Sequence, residues 1–322
     1  MNNLLLLTEA GENIGFGHLS RCSSIYQFVK DKNITSELLL DCFGETLSSG
    51  NFTSMHWLQD IGKLKEYINR FKNVLIDSYK ISEEDLNWCI THFENVYIID
   101  DYGRLSFGNV KLIINPNIFG SNISYKSKSV GGADYVILRE AFRKCSDKSV
   151  IKTEISSILI TVGGSDYRHL LPKLVESFKK LNYHFNIICG NDTYSKELSK
   201  NFGSLTNFTF HGFLNDVEMR DLLLRSDIAV SAGGQTLHEL AFLGVPTIAI
   251  CIDKDQEPNI NSYFKAGFLD AVLFWNQPDL SETITDKLQK FTYPIRQNYF
   301  NIGTGLINGN GVFNIYKSLI GS

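Results

Sequence analysis

The chain has 322 residues, a formal net charge of -4 and a sequence pI near 6.0. This length exceeds what a single hydrophobic core usually serves, so we expect two domains. Hydrophobic residues make up 43% of the chain and charged residues 20%, which is typical of soluble globular proteins. The small negative charge gives no indication of a general affinity for nucleic acid or for an anionic membrane.

The cysteines and the N-terminal residues indicate the cellular compartment in which the protein is expected. The six cysteines show no C-x-x-C pair and no metal-ligand spacing, and most lie in apolar runs, which favours reduced thiols. The first residues carry no basic region and no small-residue cleavage site, and no apolar run approaches the roughly 20 residues that span a bilayer. We therefore expect a cytoplasmic protein without a membrane span. The sequence does not fix the oligomeric state and is compatible with a monomer.

Short apolar runs alternate with helical patterns along the whole chain. Strand, helix and strand in repetition is typical of right-handed crossover units, which build a parallel sheet. A helix is predicted after Ser82, because Ser82-Glu83-Glu84-Asp85 has the spacing of a capping box. Strands are predicted at residues 4–7, 36–40, 74–76, 96–99 and 112–114, and again at 158–162, 185–189, 208–210, 228–230, 247–250 and 272–274.

A polar, weakly patterned segment at residues 144–149 separates the two series of strands. We place the domain linker there. The prediction is therefore an α/β chain with two Rossmann-like domains that face each other across a cleft, at residues 1–148 and 149–302. Residues 303–322 are predicted to form a glycine-rich loop followed by a short helix, which could pack back on the first domain.

A glycine turn marks the first strand-to-helix junction. The segment Asn13-Ile14-Gly15-Phe16-Gly17-His18 follows the first predicted strand and precedes a helical pattern through residues 22–29. Open parallel sheets bind ligands at this place, outside the carboxyl ends of their strands. An imidazole that faces such a cleft is a candidate general base, so His18 is the candidate catalytic residue. The alternative is a glycine turn with a partly buried, hydrogen-bonded histidine.

Polar residues also follow two other predicted strands of the first half. Asp77 and Tyr79 follow strand 74–76, and Asp100 and Asp101 follow strand 96–99. Adjacent acids could bind a metal, but no accompanying histidine or carboxylate cluster supports a metal site. Polar contacts to a sugar or to neighbouring N–H groups are the preferred interpretation. Asp77 could instead cap a helix or a turn, and Tyr79 could pack at the edge of the core.

Two Gly-Gly turns follow strands of the second half. Backbone N–H groups at a helix N-terminus bind phosphate, so the paired turns predict a diphosphate site. Glu239, three residues after Thr236, could accept hydrogen bonds from both ribose hydroxyls. Gln256, in a third strand-end loop, could reach the same ligand. The alternative is two glycine turns, a surface acid and a solvated loop. The candidate residues are Gly163, Gly164, Ser165, Gly233, Gly234, Gln235, Thr236, Glu239 and Gln256.

The ordered combination of these motifs resembles the UDP-sugar hydrolases of pseudaminic acid biosynthesis and the related spore-coat polysaccharide proteins. The resemblance covers nearly the whole chain. It is carried by Ile14-Gly15-Phe16-Gly17-His18-x-x-Arg21, Ile76-Asp77-Ser78-Tyr79, Ile99-Asp100-Asp101, Val162-Gly163-Gly164-Ser165-Asp166, Ser231-Ala232-Gly233-Gly234-x-Thr236 with Glu239, and Gln256-Glu257.

This resemblance implies the GT-B glycosyltransferase fold and hydrolysis of UDP-2,4-diacetamido-2,4,6-trideoxy-β-L-altropyranose to UDP and the free sugar. His18 would activate water against the anomeric carbon, and UDP would bind the second domain. The resemblance implies no metal and no other cofactor. On the sugar side it implies Gly17, Arg21, Asp77, Tyr79 and Asp101.

The sequence departs from the family's pattern on the sugar side. Leu7 and Glu9 stand where the family usually has Arg and Asp, and Ser78 and Lys80 stand where it has His and Gly. A different diacetamido or amino sugar therefore stays open. So do transfer to an acceptor other than water, on the same fold, and nucleotide-sugar binding without catalysis.

Overall fold

The computed structural model describes residues 1–11, 14–43, 50–103 and 108–322. Asn13 of the glycine turn lies outside these residues. The chain divides into two compact units, one formed by Met1–Glu140 with Gly309–Ser322 and the other by Ala141–Asn308. Each unit contains one parallel sheet with helices between its strands, which confirms the predicted α/β class with two Rossmann-like domains.

The first unit is built on a seven-stranded sheet in which every neighbouring pair is parallel. Its order is β3-β2-β1-β4-β5-β6-β7, so the direction of winding reverses between β1 and β4. All five predicted strands are confirmed; β3 and β7 are too short to carry a pattern. The strands are β1 (Asn3–Gly11), β2 (Thr35–Phe43), β3 (Thr53–Ser54), β4 (Asn73–Asp77), β5 (Asn95–Ile99), β6 (Leu112–Asn115) and β7 (Ser129–Gly131).

Alternating side chains of β1 supply both faces of this sheet. Leu4 and Leu6 pack in one buried cluster and Leu5 and Leu7 in the other. The predicted helix over 22–29 is confirmed as part of α1, which packs on the face of Leu4. The helices in this part of the chain are α1 (Gly17–Asp31), α2 (Lys65–Ile68), α3 (Glu83–His92) and α4 (Glu140–Arg143).

The predicted capping box at α3 is only half formed. The Ser82 hydroxyl accepts the Asp85 N–H at 3.0 Å, as predicted. The Asp85 carboxylate then accepts the Ser82 hydroxyl at 2.7 Å, where a full box would have it bond the Ser82 backbone N–H.

The second unit contains a six-stranded parallel sheet in the order β10-β9-β8-β11-β12-β13. All six predicted strands are confirmed, and the winding reverses between β8 and β11. The strands are β8 (Ser157–Thr161), β9 (His184–Ile188), β10 (Phe208–His211), β11 (Ile228–Ala232), β12 (Thr247–Cys251) and β13 (Leu273–Phe274). The helices are α5 (Leu170–Phe178), α6 (Asp192–Phe202), α7 (Asp216–Arg225), α8 (Gln235–Leu243), α9 (Glu257–Lys265), α10 (Leu280–Lys290) and α11 (Tyr293–Leu306).

The C-terminal segment differs from its prediction. Residues 303–306, predicted as a loop, continue α11, because the absent side chain of Gly303 lets that helix approach the Ala241 carbonyl of α8. The predicted short helix is α12 (Gly311–Ile320), and it packs with α1 in the first unit. The segment 144–149, predicted as a linker, is attached to the second unit, since the Ser149 N–H donates to the Leu243 carbonyl at 2.8 Å and its hydroxyl to the Gly244 carbonyl at 2.7 Å.

The structure bears on two of the expectations, the state of the cysteines and the absence of a membrane span. All six cysteines lie in the described part of the chain, and none of them is in a disulfide. Five are buried and Cys145 is half-buried. Within the described residues, no helix combines the length and the hydropathy that crossing a bilayer requires.

Replacing Gly311 with Ala is expected to destabilise the first unit. A Cβ atom at this position would lie 1.9 Å from the Val136 carbonyl oxygen, which cannot move without shifting the backbone. We expect the free energy of unfolding to fall by about 1–3 kcal/mol, the usual cost of overpacking, in denaturant titrations.

Gly305→Ala is the matched control. Gly305 lies inside α11 and has no atom within 4 Å of its virtual Cβ, so alanine should be neutral or stabilise by up to about 1 kcal/mol. An equal loss of stability in both variants would contradict the docking of α12 through Gly311.

Candidate functional site

His18 is a buried histidine with an orienting carboxylate. It is the second residue of α1, is 4% exposed, and its Nδ1 lies 2.7 Å from Oδ1 of Asp77 at the end of β4. Because a carboxylate only accepts hydrogen bonds, we assign the proton to Nδ1. The lone pair of the neutral ring then lies on Nε2, which has no hydrogen-bond partner among the described residues. This is the arrangement of a general base.

Arg21 lies one helical turn after His18 and does not compete for the imidazole. Its Nη2 is 3.0 Å from Nδ1 of His18. Both hydrogens of Nη2 are already directed at carboxylates, at 2.6 Å to Asp77 Oδ1 and 2.9 Å to Asp101 Oδ2. The approach to His18 is therefore a packing contact, and the assignment of the Nδ1 proton stands.

Arg21 bonds two buried carboxylates at once. Its Nε donates to Asp77 Oδ2 at 2.5 Å and its Nη1 to Asp101 Oδ1 at 2.8 Å. Burial raises the pKa of both carboxyl groups, but Arg21 outweighs it, so both pKa values lie below their ordinary range. Desolvation lowers the pKa of Arg21, yet Asp101 and Asp77 raise it well above its usual value. The three groups thus remain charged and sum to one negative charge.

Tyr79 packs against His18 and supports Asp101. Its ring meets the imidazole edge to face with centroids 4.1 Å apart, and its hydroxyl donates to Asp101 Oδ2 at 2.6 Å. Burial and the nearby Asp101 raise the pKa of Tyr79 far above its ordinary value, so the phenol keeps its proton and donates. Asn117 donates from Nδ2 to Asp101 Oδ1 at 2.9 Å and completes the shell of this carboxylate.

Two residues that depart from the family's pattern contact each other. Glu9, fully buried at the end of β1, accepts the Ser78 hydroxyl at 2.6 Å and the Tyr79 backbone N–H at 2.7 Å. The Ser78 hydroxyl also accepts the N–H groups of Lys80 and Ile81, both at 3.0 Å. Glu9 and Ser78 therefore fix the backbone of the loop that carries Tyr79.

The structure brings His18 and four of the five predicted sugar-side residues into one cluster. Asp77 and Asp101 are buried and both bond Arg21, which is largely buried, so these three side chains position His18. Their contacts to a sugar stay a prediction. Gly17, the first residue of α1, is exposed, and no described atom beyond its neighbours and its own helix backbone lies within 4 Å of where a Cβ would be, which leaves room for a substrate.

Sequence reasoning missed two members of this cluster. Asn117 follows β6 as Asp77 and Asp101 follow their strands, so the same strand-end signal could have found it. Glu9 was noticed only as a departure. Asp100 accepts the Gly103 N–H at 2.5 Å and the Tyr125 hydroxyl at 2.6 Å, in line with contacts to neighbouring donors. Across the described ranges, no group of three or more His, Cys, Asp or Glu side chains is arranged to hold a metal ion.

In the second unit, the turn at residues 233–236 forms a helix N-terminus without a side-chain cap. α8 begins at Gln235, and its N-cap residue Gly234 provides no side-chain cap. Gln256 Oε1 accepts the Gly233 N–H at 3.1 Å, and Asn259 Nδ2 donates to the Gly233 carbonyl at 2.7 Å. A Cβ on Gly233 would lie 2.4 Å from Ile260, so glycine is required for this close packing. The turn presents backbone N–H groups in the manner of a phosphate site.

A second observation at this turn indicates a ligand. Asn259 is 5% exposed, and its Oδ1 is a buried oxygen without a hydrogen-bond partner in the described structure. Such an unpaired acceptor is costly unless a donor reaches it. Gln256 contributes by holding the turn, since it also accepts the Ile252 N–H at 3.2 Å.

The turn at residues 163–165 has a different chemistry from the one predicted. Its residues are exposed, but α5 begins only at Leu170. The Asp166 carboxylate accepts the N–H groups of Leu170 and Leu171 at 2.7 and 2.8 Å, so an internal anion already occupies this helix N-terminus. Glu239 also differs from its prediction as an acid open to a ribose, because it is fully buried while Thr236 is half-buried.

The second unit matches the model of the glycosyltransferase family 28 C-terminal domain over residues 157–301. The chain is 26% identical over 193 residues to the spore coat polysaccharide biosynthesis protein SpsG of Bacillus subtilis, covering 57% of this chain and 56% of SpsG. It is 24% identical over 248 residues to the pseudaminic acid cytidylyltransferase and UDP-2,4-diacetamido-2,4,6-trideoxy-beta-L-altropyranose hydrolase of Helicobacter pylori, covering 75% of this chain and 43% of that protein. The chain thus spans about half the length of these relatives.

Solved structures share the fold over the full chain. MurG of Acinetobacter baumannii has a TM-score of 0.65 at 12% identity, covering 97% of this chain and 98% of MurG. The UDP-GlcNAc 2-epimerase of Neisseria meningitidis, bound to UDP-GlcNAc, has a TM-score of 0.64 at 16% identity, covering 99% of this chain and 100% of the epimerase. Identities this low show the fold alone. The GT-B fold implied by the resemblance is confirmed, and the chain is glycosyltransferase-like.

Replacing Arg21 with Met is expected to lower the free energy of unfolding by about 3–5 kcal/mol at neutral pH, because Asp77 and Asp101 would be buried without a countercharge. Arg70→Met is the control in the same unit. Arg70 pairs with Glu37 at the surface, and such pairs contribute about 1 kcal/mol or less. Urea titrations measure the free energy of unfolding of both variants. Equal losses in Arg21→Met and Arg70→Met would contradict the buried pairing of Arg21 with the two carboxylates.

The loss in the free energy of unfolding that Arg21→Met causes should become smaller as the pH falls. In the wild type, the depressed carboxyl pKa values contribute stability that is complete above the ordinary pKa of 3.8 and is lost as pH falls towards the folded-state values. In the variant, burial alone raises the carboxyl pKa values, so protonation relieves the buried charge. Denaturant titrations at pH 7, 5 and 4 should show that the difference in the free energy of unfolding between the wild type and Arg21→Met narrows. A constant difference would contradict the buried carboxylate charges as its cause.

Proposed function

We propose that the protein hydrolyses a UDP-linked diacetamido-trideoxy sugar, of the type of UDP-2,4-diacetamido-2,4,6-trideoxy-β-L-altropyranose, to UDP and the free sugar. The observation that carries the proposal is the His18–Asp77 pair, which holds an imidazole with its Nε2 unengaged by any described residue. The motif resemblance and the Helicobacter pylori relative support this substrate class. Hydrolysis needs only a base, a positioned water and a stabilised leaving group.

The proton and the bonds balance within this proposal. Nε2 of His18 takes a proton from water as the water oxygen bonds to the anomeric carbon. The bond from that carbon to the phosphate oxygen breaks, and its electron pair stays on UDP. Asp77, kept ionised by Arg21, stabilises the imidazolium that forms. Backbone N–H groups at the α8 N-terminus stabilise the charge on the departing diphosphate.

The nucleotide contacts in this proposal lie in the second unit. Gly233, Gly234, Gln235 and Thr236 form the phosphate turn, and Gln256 holds it in place. The motif resemblance implies Glu239 as the ribose contact, but its side chain is fully buried, so this proposal assigns it no contact to the ribose. Gly163, Gly164 and Ser165 are exposed at the neighbouring strand end, where they accommodate the ligand sterically rather than by a free helix N-terminus.

A glycosyltransferase is the second candidate, and the family 28 domain match favours it. In that reaction Nε2 of His18 removes the proton from an acceptor hydroxyl instead of from water. The geometry of the base is the same for both reactions. The two candidates therefore separate on whether UDP is released when water is the only acceptor.

Incubation of the full chain with the UDP-linked diacetamido sugar and no acceptor should release UDP and free sugar in equal amounts. Coupled detection of UDP and mass spectrometry of the sugar measure both products. UDP-GlcNAc in parallel tests the sugar specificity. UDP release that occurs only after an acceptor is added would overturn hydrolysis in favour of transfer.

His18→Gln should lower kcat by roughly 10²- to 10⁴-fold, the usual contribution of a general base, while the affinity for UDP stays unchanged. Steady-state kinetics and calorimetry with UDP measure the two effects. His56→Gln is the control, because His56 pairs with buried Asp41 at 3.0 Å and its side chain is 51% exposed, and we expect wild-type turnover. Unchanged turnover in His18→Gln would contradict the assignment of His18 as the general base.

A further inference from the structure

Three side chains form a stack beside the turn at residues 163–165. The guanidinium carbon of Arg168 lies 4.8 Å from the ring centre of Tyr167 and 4.0 Å from that of Trp275. Tyr167 is 53% exposed, whereas Arg168 and Trp275 are half-buried. We refer to Tyr167, Arg168 and Trp275 as the aromatic stack. An exposed, flat ring at the ligand-binding edge of a parallel sheet is a candidate contact surface.

Hydrogen bonds fix the aromatic stack in place. Arg168 donates from Nε to the Ile252 carbonyl at 2.9 Å and from Nη2 to Asp253 Oδ1 at 2.9 Å. The Tyr167 hydroxyl donates to the same Asp253 oxygen. Tyr167 is thus held at its hydroxyl and on one face. A ring that is already ordered loses little conformational entropy when a ligand binds, which increases affinity.

The aromatic stack is connected to the phosphate turn by hydrogen bonds between side chains and the backbone. Ile252, whose carbonyl holds Arg168, donates its N–H to Gln256 Oε1 at 3.2 Å. The same Gln256 oxygen accepts the Gly233 N–H at 3.1 Å. The loops involved follow β8, β11 and β12, three adjacent strands that end at one edge of the sheet. Tyr167 and the α8 N-terminus therefore belong to one network within the second unit.

We propose that the ring of Tyr167 is the stacking platform for the nucleobase of the bound nucleotide. This inference rests on the proposed function and deepens it. The charge of Arg168 is balanced by Asp253, so the stack offers no free cation to a phosphate and suits a neutral, planar ring. Stacking on an aromatic ring contributes affinity to every base, because every base has a π face. The platform contributes affinity for the nucleotide and not the choice of uracil.

The test measures UDP, UMP and inorganic diphosphate binding to the full chain by calorimetry. Tyr167→Ala should weaken UDP and UMP by about 5- to 100-fold and leave inorganic diphosphate unchanged. Tyr167→Phe keeps the ring and should stay within about 3-fold of wild type. Tyr293→Ala, which removes a 44% exposed tyrosine of α11 in the same unit, should bind all three ligands as the wild type does.

The outcomes separate the platform from the proposed reaction. Binding of UDP that depends on Tyr167, in a protein that hydrolyses no UDP-sugar, supports the platform and overturns the reaction. Hydrolysis of UDP-sugar with unchanged UDP affinity in Tyr167→Ala overturns the platform and leaves the reaction in place. Equal losses for UDP and inorganic diphosphate also overturn the platform, because they indicate a general distortion of the strand-end loops.

Discussion

The cluster of side chains around His18 depends on one guanidinium, that of Arg21, which bonds two buried carboxylates. Removing an ion from water costs several kcal/mol even after relaxation, and Arg21, Asp77 and Asp101 are all largely buried. Four N–H···O contacts to Arg21 offset that cost and tie α1 to the ends of β4 and β5. Because Asp77 also sets the tautomer of His18, the orientation of the base follows from the placement of Arg21.

Much of this arrangement could be predicted from the sequence, because apolar runs locate the strands and polar residues mark their ends. For that reason the sequence predicts that His18, Asp77 and Asp101 lie at the ends of strands. It could not show that Arg21 bonds Asp77, 56 residues away. Strand-end patterns reveal which residue types meet, but not which of them satisfy one another. For the same reason, the contact between Glu9 and Ser78 could not be predicted from the sequence.

The two Gly-Gly turns of the second unit have similar sequences, but only one of them leads into a helix N-terminus without a side-chain cap. Both follow a strand next to the reversal of winding, and the sequence alone predicts the same anion site at each. At α5 the helix starts later, and Asp166 has room to cap it with its own carboxylate. At α8 the helix begins directly after Gly234, which has no side chain to supply a cap. α1 likewise begins at a glycine turn without a side-chain cap, beside the proposed base.

Glu9 and Ser78, two of the residues that depart from the family's pattern, act together in the structure. Glu9 and Ser78 bond each other, and Glu9 holds the Tyr79 backbone, so together they keep the Tyr79 ring against His18. The base, its carboxylate and Arg21 are left untouched by these substitutions. In the proposed reaction, His18, Asp77 and Arg21 would carry the proton transfer, and Glu9 and Ser78 would act on it only through Tyr79. Exchanging Glu9 or Ser78 would thus alter the loop that carries Tyr79 and, through its ring, the surroundings of the imidazole.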